Sequence, residues 1–300
     1  VNALDRLVSA GRLATGVPVG RHTTYKLGGP ARYFAEVADR PSLEAVIEAW
    51  RGSGVPVLVL GWGSNLVVAD AGFDGLVVRP TGEFTRIDLH PLHIEAGCAA
   101  RLPMLARAAV AAGRLGLEFY VGIPGTVGGA VRQNAGCHGS ETSDRLLWAE
   151  VLDMVEGRTS RRTPLDLDLA YRHSNIAETD LVLSAGFMFE SGDPAEGERR
   201  IREVTRWRKQ HQPGGTLNAG SVFKNPPGDA AGRLIDQAGL KGFRVGGVSV
   251  SDRHANFFVA EEGATASDLA RLIAEVRRRV LDLTGVELET EIRLVGDFQA

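Results

Sequence analysis

The sequence predicts an α+β protein of two or three domains, and three observations lead there. The chain has 300 residues, where one domain usually takes about 100–200. Helical and extended patterns interleave irregularly, with three strand-like runs in succession between 146 and 190. The clearest amphipathic helix lies late, at 267–285, where Leu269, Leu272, Ile273, Val276 and Val280 form one apolar stripe.

The elements follow in order. Residues 4–13 read as a short helix and 31–38 as a strand. "PSLEAVIEAWRGSG" (41–54) reads as a helix with Ser42 as N-cap and glycines beyond its end. The apolar runs 55–61 and 75–80 are buried strands. From about 81 a second unit begins: a strand at 93–97, then a helix at 101–113 whose Gly113 suits the C′ position. Strands near 146–155, 158–163 and 181–190 follow, with "VEGR" as a hairpin turn. The helix 193–210 is acidic at its start and basic at its end, matching the helix dipole. It leads into a third unit with a helix near 229–238, a strand near 256–260, the amphipathic helix and a last strand at 286–296. The expected domains are therefore 1–80, 81–196 and 197–285, with 286–300 free to return to the first.

Composition excludes several classes. Net charge is −3 and 24% of residues are charged, so no basic surplus calls for nucleic acid. No apolar run suits a membrane span, and "VNALDRLVSAGRLATG" carries Asp5 and Arg6 inside its apolar pattern, unlike a signal peptide. Two cysteines, Cys98 and Cys137, make neither a disulfide framework nor a CxxC zinc pair. A reducing, cytoplasmic setting is the expectation. The seven histidines show no ligand spacing; His90 and His93 read as surface residues, and no metal is expected. Of 34 basic residues only Lys26, Lys209, Lys224 and Lys241 are lysine, so each is a weak pointer to a compact donor.

Two glycine-rich loops each follow an apolar strand: "GWGSNLVV" and "GIPGTVGGAV". Neither fits a known fingerprint. Leu66 stands where a dinucleotide GxGxxG motif needs its third glycine, and there is no P-loop, HExxH or GxSxG sequence. Bare N–H groups in such turns form anion nests, and a following helix N-terminus adds its dipole. Ser64, Asn65, Thr126 and Asn134 add neutral donors. Tight turns and close packing explain either loop alone. Taken together, the two loops favour a bound dinucleotide held without a Rossmann motif.

The ordered set "HTTYKLGGPARYF", "GWGSNLVV", "GIPGTVGGAVRQNAG", "YRHS", "NAGSVFKNP", "AGRLIDQAGLKG" and "VSDRHANFFVA" resembles the UDP-N-acetylenolpyruvoylglucosamine reductases over nearly the whole chain. The resemblance implies a two-lobed FAD-binding fold of the vanillyl-alcohol-oxidase-like type, with FAD non-covalent, plus a C-terminal α+β substrate domain. It implies a flavoenzyme of peptidoglycan precursor synthesis. NADPH reduces FAD, and the enolpyruvyl ether of UDP-N-acetylglucosamine becomes UDP-N-acetylmuramate. The implied cofactor contacts are Tyr25, Lys26 and Gly28 in the first motif and Gly61, Gly63, Ser64, Asn65 and Leu66 in the second. The third supplies Gly122, Ile123, Pro124, Gly125, Thr126, Gly128, Gly129 and Asn134.

Three residues match the implied catalytic set. Ser221 gives a proton to the carbanion beside the substrate carboxylate. Arg172 holds that carboxylate with its planar fork. Glu291 acts beside the developing enolate, where a bare carboxylate would oppose the charge, so it is expected to carry a proton. Glu287 and Glu289 share its face by alternation, and only the "E-I-R" frame favours Glu291. Lys209 is expected at the diphosphate, with Asn225, Lys224 and Tyr171 as further substrate contacts. Two departures stand out: the short spacing between Arg172 and Ser221, which marks the short subtype, and Cys137-His138 after "NAG". Two other readings are an FAD-dependent oxidase of the same superfamily and a non-catalytic sugar-nucleotide-binding protein.

Overall fold

The computed structural model describes residues 2–215 and 217–298, so the ends of the outermost expected segments, residues 1, 299 and 300, lie outside the described residues. The chain forms two compact units, each assembled from separated stretches of sequence. One takes 1–15, 33–62 and 75–208; the other takes 16–32, 63–74 and 209–300. The expected first and second domains thus contribute to one core, while two short stretches before residue 80 belong with the C-terminal part.

In the first unit, helix Arg40–Trp50 is capped one turn earlier than the sequence suggested. Asp39 accepts from the Ser42 N–H at 2.8 Å, which corrects the Ser42 expectation. Asp39 wins because it precedes Pro41, which is tolerated only in the first turn. Leu43, Val46, Ile47 and Trp50 bury one face of this helix. Strand Val57–Val59 runs parallel to Leu76–Val78. A five-stranded antiparallel sheet follows, in the order Arg158–Arg162, Leu146–Asp153, Asp180–Phe187, Ile94–Gly97, Ile87–Leu89.

The register of that sheet sorts its faces. Ala149, Ala185 and Ala96 lie in one cross-strand row and are fully buried. Their small side chains leave room for helix Val127–Gln133, which packs on Asp180–Phe187. Trp148, Gly186, Glu95 and Asp88 form a row on the other face. The hairpin ending that row carries a correction: His90, His93 and Glu95 do cluster, with ligating atoms all within 4.8 Å of one another. The turn His90–His93 brings together residues whose linear spacing hid this.

The second unit has its own core. Helix Ala266–Thr284 starts at a capping box between Thr265 and Asp268 and ends at Gly285 with φ 73°. The five stripe residues named from the sequence are all buried in it. It packs with helix Ala231–Gln237 and the three-stranded sheet Arg244–Val245, Val248–Val250, Phe258–Ala260. The last strand is much shorter than expected, Arg293–Val295, and pairs in parallel with Leu66–Val68. The preceding residues 286–292 are held by isolated contacts instead, such as the bridge from Thr290 to Phe223. Among the described residues no helix is long and apolar enough to cross a membrane.

Candidate active site

The expected site residues divide between the two units. In the first unit Gly61, where the first glycine loop begins, meets Thr126 of the second loop. A Cβ on Gly61 would lie 2.5 Å from Thr126 Oγ1, so Gly61 is glycine to let the second loop approach. Gly122 backs onto Cys137 Sγ and Val204, at 2.9 and 3.0 Å from an added Cβ, and Gly128 onto the Cys98 Cβ at 3.1 Å. These glycines are therefore required by protein atoms. Gly129 differs: it is exposed, and the nearest atom to an added Cβ is Thr126 Oγ1 at 3.8 Å. At the start of helix Val127–Gln133 the Val127 and Gly128 N–H groups already donate to the Ala100 and Cys98 carbonyls. Thr126, the N-cap residue, makes no side-chain capping bond. The open backbone that a pyrophosphate could approach is thus concentrated at Gly129, and the loops fit such a group there.

Next to these loops lie two residues that sequence reasoning passed over. The Arg101 guanidinium stacks 3.7 Å over the Trp62 ring, and Arg101 bridges to Thr126. Arginine planarity and a ring directly between two loop glycines were the available signal.

Asn134 has its side chain engaged within the protein. It is completely buried, with φ 42°, and its amide accepts from the Ser143 N–H at 2.9 Å and donates to the Ala170 carbonyl at 3.0 Å. Its work is to hold the turn Ala170–His173, closed by His173 N–H to Ala170 O at 3.0 Å. Within that turn Arg172 sits at φ 52°, a left-handed conformation that a long side chain seldom takes. Its Nη2 donates to Gly136 O at 3.0 Å, and half-exposed Tyr171 lies under the guanidinium, 5.0 Å from the ring centre. Strain of this sort concentrates where a side chain must be aimed.

Cys137 and His138 follow Gly136. Burial pushes the Cys137 thiol up to about 11, although Arg208 and Arg172 pull the other way. The thiol donates to Phe119 O at 3.2 Å. His138 packs edge-on against Trp207, and burial followed by the Arg208 charge lowers its pKa.

In the second unit the GSVFKN segment is held from both sides. The Val222 N–H donates to Asn256 O at 2.9 Å. The Asn256 amide accepts from the Phe223 N–H at 2.9 Å and donates back to Phe223 O at 2.8 Å. Asn256 is almost fully buried, and a single amide within "HANFF" carries no local sequence signal for such a clamp. On the other side, Val222 O accepts from the Glu291 N–H at 2.8 Å. Ser221 and Glu291 thereby occupy neighbouring extended segments of one unit.

The three glutamates separate clearly. Glu287 pairs with Arg277, and Glu289 is exposed and takes the Lys224 ammonium at 2.6 Å. Glu291 alone is half-buried beside Val222. Asn65 donates to Glu291 O at 3.1 Å and accepts from the Arg293 N–H at 3.1 Å, so the first glycine loop braces the Glu291 segment. Gly63, with φ 63°, meets His22 O at 2.5 Å from an added Cβ, and Gly28, φ 121°, meets Val68 O at 2.8 Å. Both are packing glycines. Tyr25 is fully buried with its hydroxyl on Phe258 O at 2.9 Å, and burial raises its pKa. Lys26 takes φ 60° and donates to Arg21 O at 2.8 Å. Ser64 and Leu66 lie on the same loop, half-buried and buried respectively. Asn225 accepts from the Ala231 N–H at 3.1 Å at a helix start, and exposed Lys209 offers its carbonyl to Arg253 at 3.2 Å.

Comparison with known proteins matches these two regions. Residues 31–161 match the family model for an FAD-binding domain, and residues 212–295 match that for the C-terminal domain of UDP-N-acetylenolpyruvoylglucosamine reductase. With the glycine loops, these matches define an FAD-binding oxidoreductase. The chain is 46% identical to the UDP-N-acetylenolpyruvoylglucosamine reductase of Heliobacterium modesticaldum, covering 93% of this chain and 90% of that protein. It is 44% identical to that of Rubrobacter xylanophilus, covering 98% of each. The crystal structure of the reductase from Thermus caldophilus superposes with a TM-score of 0.82 at 38% identity, over 95% of this chain and 99% of that one. The chain belongs to the UDP-N-acetylenolpyruvoylglucosamine reductase family.

Proposed function

We propose that this protein reduces the enolpyruvyl ether of UDP-N-acetylglucosamine to UDP-N-acetylmuramate, with NADPH as reductant and FAD bound non-covalently. The observation that carries this reading is the bracing of Ser221 and Glu291 on adjacent extended segments, joined through Val222 O. FAD, when bound, supplies the hydride. Gly129 and the backbone around Thr126 would hold its pyrophosphate, and the neighbouring Arg101–Trp62 pair fits as a flank.

The chain's own residues manage the charge. Reduction of the alkene leaves negative charge on the carbon next to the substrate carboxylate, where a fixed donor is worth about 3–4 kcal/mol. Arg172 grips that carboxylate, its aim set by the strained turn that Asn134 anchors. Ser221 donates the proton from its hydroxyl; serine serves because the acceptor is so basic. Glu291 stands beside the developing enolate. The exposure of Glu289 and its pairing with Lys224 favour Glu291 for that role. Lys224, thus held, and Lys209 provide positive charge for the substrate diphosphate.

The test separates the two half-reactions. NADPH should bleach the flavin absorbance under anaerobic conditions, and adding the enolpyruvyl sugar nucleotide should restore it. Oxygen uptake with NADPH, coupled with no response to the sugar nucleotide, would replace this reading by that of an oxidase.

A further inference from the structure

We propose that His90, His93 and Glu95 form a binding site for a divalent late-transition cation, Zn2+ in the first instance. No step of the reduction uses these residues.

The hairpin builds the site. Leu89 pairs with Ile94 as the last rung between strands Ile87–Leu89 and Ile94–Gly97, so His90-Pro91-Leu92-His93 is the connecting turn. The turn folds the two imidazoles face to face, 4.6 Å between centres and 16° from parallel. Glu95 lies two residues beyond His93 and therefore on the same side of its strand, while Ile94 and Ala96 point into the core. His90 Nε2 is 3.8 Å from Glu95 Oε2.

Two nitrogens and one oxygen, all within 4.8 Å, thus converge outside the core. Zinc bonds of about 2.0–2.1 Å place tetrahedral ligand atoms about 3.3 Å apart. The difference of about 1.5 Å is within the swing of part-exposed side chains turning about their first two torsions. His90 and Glu95 keep 45% and 30% of their side-chain surface, so rotation is open to them. The donor set selects the ion: imidazoles with one carboxylate suit Zn2+ and its neighbours, whereas Mg2+ and Ca2+ prefer all-oxygen cages. Three protein ligands leave a fourth position for solvent.

The surroundings are ordered as well. Arg114 Nη1 holds the His93 carbonyl at 3.3 Å. Trp148 stands edge-on to His93 with 6.1 Å between ring centres, in the row where Gly186 offers no side chain to block it. Asp88, directly across from Glu95, adds negative charge, shared with Arg86 at 3.8 Å.

The experiment is calorimetric titration of tag-free, chelator-treated holoenzyme with zinc chloride. One equivalent should bind, and His93→Ala and Glu95→Gln should each weaken it at least tenfold, the scale on which even outer supports of a metal act. Flavin absorbance and melting temperature report whether each variant is folded. Glu95→Gln preserves size, so it decides the matter should His93→Ala fail to fold. Copper(II) should quench part of the tryptophan fluorescence in wild type and not in Trp148→Phe. Absence of a stoichiometric binding heat, or equal zinc affinity in wild type and Glu95→Gln, would overturn the site and leave only a stacked histidine pair beside a carboxylate.

Discussion

Two glycines of one loop should respond to the same methyl group with opposite signs. Gly129 lies inside helix Val127–Gln133 with the nearest atom 3.8 Å from an added Cβ, an ordinary van der Waals distance. Alanine there should stabilise the FAD-free protein by about 0.5–1 kcal/mol, the helix preference of alanine over glycine. Gly122 has no such room, because a Cβ would press on Cys137 Sγ at 2.9 Å and Val204 at 3.0 Å. Overpacking of this kind costs about 1–3 kcal/mol. FAD affinity should reverse the ranking for Gly129→Ala: a methyl standing where the pyrophosphate approaches should weaken binding at least tenfold, about 1.4 kcal/mol. The assays are urea unfolding of the apo form and titration of FAD by fluorescence. Undiminished FAD affinity in Gly129→Ala, or a Gly122→Ala variant as stable as wild type, would refute the division between ligand-facing and packing-driven glycines.

Other outcomes follow from the same geometry. Asn256→Ala strips two buried bonds from Phe223, each about 1–3 kcal/mol, so urea unfolding should show a loss of ~2–6 kcal/mol; less than about 1 would mean that Asn256 does not clamp the segment. Ser221→Ala should leave flavin bleaching by NADPH intact and slow the second half-reaction by about 10²–10⁴-fold. In stopped flow, equal slowing of both halves would remove the proton-donor role. Arg172→Lys should fail to restore turnover because the planar fork is gone, and near-normal kcat would take Arg172 out of the site. Burial lifts Cys98 to about 12 and Cys137 to about 11, so the folded first unit keeps both thiols protonated where the unfolded chain has begun to ionise. That contribution is complete below pH 9 in its effect on the native state and works against folding as pH climbs from 9 toward 12. The melting temperature should therefore fall across that range, and less steeply in Cys98→Ala.

The helices were legible because their signals are local. The stripe from Leu269 to Val280, its capping box and Gly285 lie within twenty-one residues. The strand Leu66–Val68 and the extent of the final strand were not legible, since each is defined by its partner more than two hundred residues away. The proposed triplet Ser221, Arg172 and Glu291 rests on ordered motifs, with the "E-I-R" frame alone favouring Glu291 over Glu289; the burial of Glu291 and the Lys224 ammonium on Glu289 support the same choice. Asn134 and Asn65 read as ligand donors because small amides beside glycines usually are. The structure turns both amides inward, to Ser143 and Ala170 and to the Glu291 segment. His90 and His93 read as separate surface residues because a four-residue turn, not a helical or strand repeat, brings them face to face.

The parallel pairing of Arg293–Val295 with Leu66–Val68 constrains the order of events during synthesis. A ribosome delivers residues 16–32 and 63–74 long before their companions, and these stretches must wait for the emergence of 209–298 to find their sheet partner and their core. A nascent chain halted near residue 285 would expose the Leu66–Val68 edge and lack the brace that Asn65 gives to Glu291. Dissection of this protein into stand-alone pieces at residue 80 or 196 would sever the same embrace.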